Sequence, residues 1–116
     1  MNPISDLTTT ALHRALDGLD RRQAAIADNV ANVETPGYLS REVSFEDSLR
    51  SAIDAGRPFS ASISESRSLA PTRLNGNNVN LDIEITAGAE TSLRQQLAIQ
   101  GLNAKYQLLR TSITGR

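Results

Sequence analysis

The chain has 116 residues, of which 12 are basic and 13 acidic, and its formal net charge at pH 7 is -1. This length gives one small domain with a thin core, because a small chain buries proportionally less surface than a large one. The interspersed charges provide no field that would attract nucleic acid or an anionic membrane. The absence of Cys excludes disulfides, thiolate metal sites and a cysteine nucleophile, and it leaves the compartment open.

The first thirty residues carry no pattern of a secretory signal. Asp6, Arg14 and Asp20 interrupt them, and a basic start, an unbroken apolar stretch and a small-residue cleavage site are all missing. No apolar run approaches the roughly 20 residues that span a bilayer. We therefore expect no membrane insertion, and any export without a cleaved signal peptide.

An amphipathic helix is predicted over residues 8–33. Its apolar residues recur at alternating intervals of four and three, which is the spacing of a heptad seam, and only Gln23 interrupts the stripe. Gly18 lies inside this helix, where it costs about 1 kcal/mol relative to Ala. The predicted N-terminal packing seam consists of Leu12, Leu16, Leu19, Ile26, Val30 and Val33.

A sharp turn is predicted after this helix. Pro36 disfavours helical backbone at the residue before it, and Gly37 readily takes the positive φ of a type II turn. Further on, Ser44 with Asp47 three residues later resembles a capping box. It predicts a short amphipathic helix that ends before Gly56.

Residues 57–78 are polar and loop-like. The alternation of serines in this stretch is compatible with an edge strand, and disorder in the free monomer is equally compatible. The apolar residues that follow alternate with polar ones, which by periodicity predicts a short strand. These residues are Val79, Leu81, Ile83 and Ile85. The C-terminal helix is then expected to begin between residues 82 and 91.

From about Thr91 the pattern is helical again, and Gly115 is a natural stop. The apolar face of this helix is wide. The predicted C-terminal packing seam consists of Leu93, Leu97, Ile99, Leu102, Tyr106, Leu109 and Ile113.

The pattern as a whole predicts an all-α fold in which the terminal helices form an antiparallel coiled-coil-like pair. A small irregular middle segment holds the short helix and leaves room for short strands. The chain divides into an N-terminal helical segment over residues 1–34, a middle segment over 35–80 and a C-terminal helical segment over 81–116. Pairing buries one face of each helix, so the wide C-terminal face stays partly exposed and favours a role in assembly.

The sequence offers no pattern that indicates catalysis. His13 is the only His, and its helix provides no second ligand other than ordinary carboxylates. Residues 75–82 resemble a calcium loop only faintly, because carboxylates at alternate positions are missing. The charged residues Asp17, Asp20, Arg21 and Arg22 are interpreted as a solvated helix face. We predict that the chain is not an enzyme and that it has no catalytic, cofactor-binding or metal-binding residues.

One segment is specific beyond composition. Residues 27–38 resemble the A-x-N-[IV]-A-N-x-x-T-P-G-Y signature of bacterial flagellar axial proteins. The signature residues are Asn29, Asn32, Thr35, Pro36, Gly37 and Tyr38. A helix stop and a type II turn account for the proline and the glycine but not for both asparagines. Within this family the chain resembles the flagellar basal-body rod proteins at both of its ends, and least over residues 55–75.

The resemblance implies a structural subunit of the proximal rod, the drive shaft that transmits torque across the periplasm. It also implies passage through the flagellar type III export apparatus without a cleaved signal. The implied partners are other rod subunits, the rod-to-ring adaptor and the membrane ring at the rod base. Two alternatives stay open, namely another proximal rod subunit and a soluble helical adaptor or export chaperone of the flagellar system.

Overall fold

The structure, a computed structural model, describes the backbone of residues 3–115 and the side chains of residues 7–115. Two long terminal helices pack side by side, and a small middle segment carries a two-stranded sheet. The elements in chain order are helix α1 (Pro3–Ala31), strand β1 (Arg41–Ser44), helix α2 (Glu46–Asp54), a 3-10 turn (Pro58–Ser60), strand β2 (Ser64–Arg67) and helix α3 (Leu81–Thr114). The molecule is elongated, with extents of 64 × 28 × 14 Å.

Helix α1 begins earlier than predicted and ends at Ala31, before the predicted end at Val33. The amide of Val33 donates to the carbonyl of Val30 at 3.3 Å, a three-residue spacing that tightens the chain after the helix. Pro36 follows closely and prevents the helix from continuing, as expected. The last residue of the predicted seam therefore lies in the turn and not on the helix.

The middle segment differs from a purely helical expectation. Strands β1 and β2 pair in antiparallel register, with Arg41 opposite Arg67 and Ser44 opposite Ser64. Of the two alternatives for the serine-rich stretch, the structure has the edge strand. The fold is therefore mostly helical with a small sheet, and the prediction of an all-α fold is incomplete.

Helix α2 is confirmed as a short helix, but the predicted capping box is wrong. Ser44 is the last residue of β1, and the N-cap position belongs to Phe45, which makes no side-chain cap hydrogen bond. Glu46 and Asp47 lie in the first turn, where the positive end of the helix dipole stabilises carboxylates. Gly56 follows the helix with a φ of +75°, as suits a glycine at a helix end.

The strand predicted around Ile83 is wrong, because α3 begins at Leu81. The side chain of Asn80 accepts a hydrogen bond from the amide of Ile83 at 3.2 Å and caps the helix. Asp82 and Glu84 add acidic residues to the first turn. The helix cap outweighs the alternation here, since within residues 3–115 the only sheet consists of β1 and β2 and offers these residues no neighbouring strand. The helix thus begins one residue before the expected range of 82–91.

Contacts between α1 and α3 run in opposite order along the two helices. The imidazole of His13 lies 3.2 Å from the Tyr106 hydroxyl, whereas Gln23 donates to the Ser92 hydroxyl at 2.8 Å. Between these levels Gln95 donates to Asp20 at 2.8 Å. Residue numbers on α3 thus decrease as those of their partners on α1 increase, so the two helices are antiparallel at these contacts. These polar contacts accompany apolar ones along the same pair of helices, where Leu12 lies against Gly101 and Ile26 against Gly88.

The hydrophobic core lies where the middle segment packs on α1. Leu19, Ala25, Val43 and Phe45 form its buried cluster. The ring of Phe45 lies directly on the backbone of Gly18, where an added Cβ would be 2.5 Å from the nearest ring carbon. Gly18, costly for helix propensity alone, therefore makes room for the largest core side chain.

Candidate functional site

The turn that follows α1 has the predicted geometry at its glycine. Gly37 has a φ of +74°, and the amide of Tyr38 donates to the carbonyl of Thr35 at 3.3 Å, as in a β-turn with glycine at its third position. An added Cβ on Gly37 would meet no atom within 4 Å, so the backbone conformation alone selects glycine. The positive φ expected for this turn is confirmed.

Asn29 connects α1 to the start of the sheet. Its side-chain oxygen accepts from the Arg41 amide at 2.8 Å, and its side-chain nitrogen donates to the Arg41 carbonyl at 2.9 Å. This pair of bonds imitates the exchange between two strands and draws β1 onto the helix. The hydroxyl of Tyr38 donates to the same oxygen at 3.3 Å. The buried Asn29 therefore ties the end of α1 both to Tyr38 of the signature segment and to the first residue of β1.

Asn32 and Thr35 hold the exit from the helix. The side-chain nitrogen of Asn32 donates to the carbonyl of Asp28 at 2.8 Å, and the Thr35 hydroxyl donates to the side-chain oxygen of Asn32 at 3.0 Å. These local bonds compete with continued helix, which is the usual action of Asn and Thr at helix ends. The two signature asparagines thus have separate roles, one across the fold and one within the turn.

A second asparagine segment completes this turn from a distance. Asn77, which is 0% exposed, donates to the carbonyls of Asn32 and Thr35, both at 2.8 Å. Its side-chain oxygen accepts from the Val79 amide at 2.7 Å. The carbonyl of Asn75 accepts from the Gly37 amide at 2.8 Å. Residues 75–79 therefore cap the end of α1 with side-chain and backbone groups.

Asn78 binds the residue before β1 and two residues just after β2. Its side-chain oxygen accepts from the Ser40 amide at 2.7 Å, and its nitrogen donates to the carbonyls of Ser68 and Ala70 at 3.0 and 3.1 Å. From sequence, this asparagine-rich stretch is interpreted only as a turn with a faint likeness to a calcium loop. Within residues 7–115, no group of three or more His, Asp or Glu side chains is arranged to hold a metal ion. The repeated asparagines at positions 77, 78 and 80 were the signal that could have predicted these backbone caps, because Asn side chains readily bond backbone groups at helix ends and turns.

Glu84 brings an acidic group into the same network. Its carboxylate accepts from the side-chain nitrogen of Asn29 at 3.1 Å. Burial raises the pKa of Glu84 above the usual glutamate range, and the negative charge of Glu42 acts in the same direction, whereas the hydrogen bond from Asn29 opposes the change. The first turn of α3 and the last turn of α1 are thus joined through a protonatable contact.

Arg22 anchors the middle segment to α1 and does not lie on a purely solvated face, so that part of the interpretation is wrong. Its guanidinium donates to the Val43 carbonyl at 2.7 Å and to the Glu46 carboxylate at 2.5 Å. It also lies 4.9 Å from the centre of the Phe45 ring. Burial by itself would raise the pKa of Glu46. The hydrogen bond from Arg22, the positive charge of Arg22 and hydrogen bonds from backbone N–H groups together outweigh burial, so the pKa of Glu46 is lowered.

The predicted seams are buried to very different extents within one chain. On α1, Leu19 is buried and Val30 is exposed, and the other three seam residues of the helix are half-buried. Val33, in the turn after α1, is also half-buried. On α3, Leu102 is buried and Leu109 half-buried. The remaining α3 seam residues are exposed, namely Leu93, Leu97, Ile99, Tyr106 and Ile113. The role of both seams in packing between subunits stays a prediction.

The residues of α3 that are most buried are small or polar. Besides Leu102, they are Glu84, Thr91 and Ala98. Gly101 lies against Leu12, whose side chain would be 3.3 Å from an added Cβ. Close approach to α1 therefore selects small side chains, and the large apolar ones are left on outer faces of the helix. In the described part of the chain, no helix is both long and apolar enough to cross a membrane.

Comparison with known proteins identifies the family. The model of the family described as "Flagella basal body rod protein" matches residues 11–38, which contain most of α1 and the signature turn. The chain is 32% identical to the flagellar basal body rod protein FlgB of Bacillus subtilis, with 93% of this chain and 94% of that protein covered. It is 28% identical to FlgB of Escherichia coli (80% and 83% covered) and 37% identical to FlgB of Borrelia hermsii (68% and 51% covered). The chain belongs to the flagellar basal body rod protein family, on the branch of its FlgB members.

Proposed function

We propose that this chain is a structural subunit of the proximal rod of the bacterial flagellar basal body. The observation that carries the proposal is the exposed apolar surface of α3. The same chain has the signature turn of the family at the end of α1. Leu93, Leu97 and Leu108 are each more than half exposed at 57%, 58% and 63%. Their spacings of four and eleven residues place these leucines on one side of the helix, and an exposed apolar face of this kind usually marks a partner interface. The function is mechanical, and no catalytic step is part of it.

The terminal helices act in this proposal as an antiparallel coiled-coil-like pair. The opposite order of the contacts His13 to Tyr106 and Gln23 to Ser92 supports this arrangement. Residues 1–34 and 81–116 then serve as the rod-core helices, and residues 35–80 as a middle segment that is held against them.

The partners and the location follow from the family. Other rod subunits, the rod-to-ring adaptor and the membrane ring at the rod base are the neighbours, and the type III export apparatus handles the chain in transit without a cleaved signal. The three relatives named above all carry the name FlgB, which favours this rod subunit over another proximal rod subunit such as FlgC.

Basal bodies purified from cells that make a tagged chain in place of their own copy test the proposal. We expect the tagged chain in the purified rod and swimming cells. Leu93→Asp together with Leu108→Asp should abolish both, because a charge would have to be buried between subunits. Ser51→Asp, at an exposed polar position on α2, is the matched control and should swim. A tagged chain that restores swimming but is absent from purified basal bodies contradicts the proposal.

A further inference from the structure

The turn that caps α1 from a distance contains a chemically reactive pair, Asn75 and Gly76. When a glycine follows an asparagine, no Cβ hinders its backbone nitrogen from attacking the side-chain carbonyl carbon of the asparagine. Asn75 is the only asparagine of this chain that a glycine follows. It is exposed, so water and hydroxide reach its side chain. Whether the pair reacts therefore depends on how the turn holds it.

The fold itself selects this pair of residues. Gly76 has a φ of +82°, and an added Cβ would lie 3.2 Å from the Cα of Gly37, so both conformation and space favour glycine. The side-chain oxygen of Asn75 accepts from the Asn77 amide at 3.1 Å, a local bond that favours asparagine at turns. The contact with the end of α1 thus places a reactive pair on the surface.

The closed turn opposes the attack. The Gly76 amide donates to the Arg73 carbonyl at 2.9 Å, and this N–H must lose its proton before the nitrogen can react. The side-chain oxygen of Asn75 is held by the Asn77 amide, and its backbone carbonyl accepts from the Gly37 amide at 2.8 Å. The side-chain carbon cannot turn toward the nitrogen while these bonds remain. Reaction therefore requires local opening of the turn.

We propose that Asn75 is a site of spontaneous deamidation and that opening of the turn controls its rate. Hydroxide removes the proton of the Gly76 amide, and the nitrogen forms a bond to the side-chain carbonyl carbon of Asn75. The bond from that carbon to the side-chain nitrogen breaks, and the nitrogen takes a proton from water and leaves as ammonia. One water molecule then opens the resulting succinimide ring at either carbonyl. The products are aspartate and isoaspartate, and no atom is oxidised or reduced.

The two products differ in what they do to the cap of α1. Aspartate at position 75 leaves the backbone unchanged and keeps an oxygen that can accept from the Asn77 amide. Isoaspartate carries the chain through its side chain, which adds one carbon to the backbone before Gly76. The carbonyl that accepts from the Gly37 amide becomes part of a free carboxylate outside the backbone. Isoaspartate therefore disrupts the contact between this turn and the signature turn.

Peptide mapping by mass spectrometry measures the reaction in the full-length chain at mildly alkaline pH. In denaturing urea, we expect Asn75 to be converted before Asn103, which is also exposed but is followed by Ala104. In buffer without urea, conversion of Asn75 should be at least about tenfold slower, because the turn must first open. Equal rates in buffer and in urea, or conversion of Asn103 as fast as that of Asn75 in urea, overturn the proposal.

A second variant tests the control by the turn. Asn77→Ala removes the bonds from the Asn77 side chain to the carbonyls of Asn32 and Thr35 but leaves the reactive pair intact. It should speed deamidation of Asn75 severalfold in buffer and have no effect in urea. Ser51→Ala, at an exposed position on α2, is the matched control and should change neither rate. An unchanged rate for Asn77→Ala in buffer overturns the control by the turn.

The products themselves test the effect on the cap. Chains that have reacted in urea are refolded, and the aspartate and isoaspartate forms are separated by chromatography. The aspartate form and the Asn75→Asp variant should unfold at nearly the urea midpoint of the wild type. The isoaspartate form should unfold at a lower urea concentration and show faster amide hydrogen exchange at residues 35–38. An isoaspartate form with the midpoint and exchange of the wild type overturns the link between Asn75 and the cap.

Discussion

Gly18→Ala is the substitution for which helix propensity and tertiary packing predict opposite signs. Propensity alone favours Ala over Gly in a helix interior by about 1 kcal/mol. In the structure, an added Cβ would lie 2.5 Å from two ring carbons of Phe45 and 2.7 Å from a third. The ring is buried at 4% exposure, so it cannot swing into solvent without leaving the core. We expect the substitution to destabilise the chain.

The magnitude follows from the contacts that the ring would lose. Overpacking of a core costs about 1–3 kcal/mol. A displaced Phe45 ring also leaves the guanidinium of Arg22, 4.9 Å from its centre, a contact worth about 0.5–1 kcal/mol. After subtraction of the propensity gain, the net loss in the free energy of unfolding is about 0.5–3 kcal/mol.

Urea unfolding followed by circular dichroism measures this change. Gly88→Ala on α3 is the matched control, because its added Cβ would be 3.7 Å from Ile26, an ordinary contact, so it should stabilise the chain by up to about 1 kcal/mol. Gly18→Ala combined with Phe45→Leu should be less destabilised than the sum of the single changes, since the clash is gone. If Gly18→Ala is as stable as the wild type, the close packing of the ring on α1 is refuted.

Three further outcomes test the turn network. Asn77→Ala should lower the free energy of unfolding by about 2–3 kcal/mol, since buried backbone groups lose their hydrogen-bond partner. It should also speed amide hydrogen exchange in the turn after α1; unchanged exchange would show that the cap is dispensable. The pKa of Glu84 is raised in the folded chain, so the stability of the wild type should fall as the pH rises from the usual glutamate pKa through the raised one. In Glu84→Gln, the urea midpoint should depend less on pH between about pH 4 and 7; parallel profiles for the two chains would contradict this. Gly37→Val should cost about 1–3 kcal/mol and reduce the basal-body yield, whereas Gly37→Asn should be better tolerated; equal yields would leave the turn only a connector.

Local signals in the sequence determined the helices and the turn. Apolar spacing along both ends is sufficient to predict long amphipathic helices, and Pro36 with Gly37 is sufficient to end the first one. These features depend on residues that are neighbours along the chain, so no knowledge of the fold is needed. The signature that contains Asn29 and Asn32 also identified the family before any contact was known.

Tertiary structure alone decided which groups those elements meet. Asn77 caps carbonyls that are 45 and 42 residues away, and Asn29 pairs with a carboxylate 55 residues away. The periodicity of the sequence carries no information on such contacts. For the same reason it predicted a strand at the residues where α3 begins after its N-cap Asn80. The inward face of α3 was predicted only at Leu102, because close helix packing selects Thr91 and Ala98 over larger apolar residues at the other positions. A pattern of large apolar residues indicates that a helix has partners, whereas only the packed fold separates the partner in the same chain from those in an assembly.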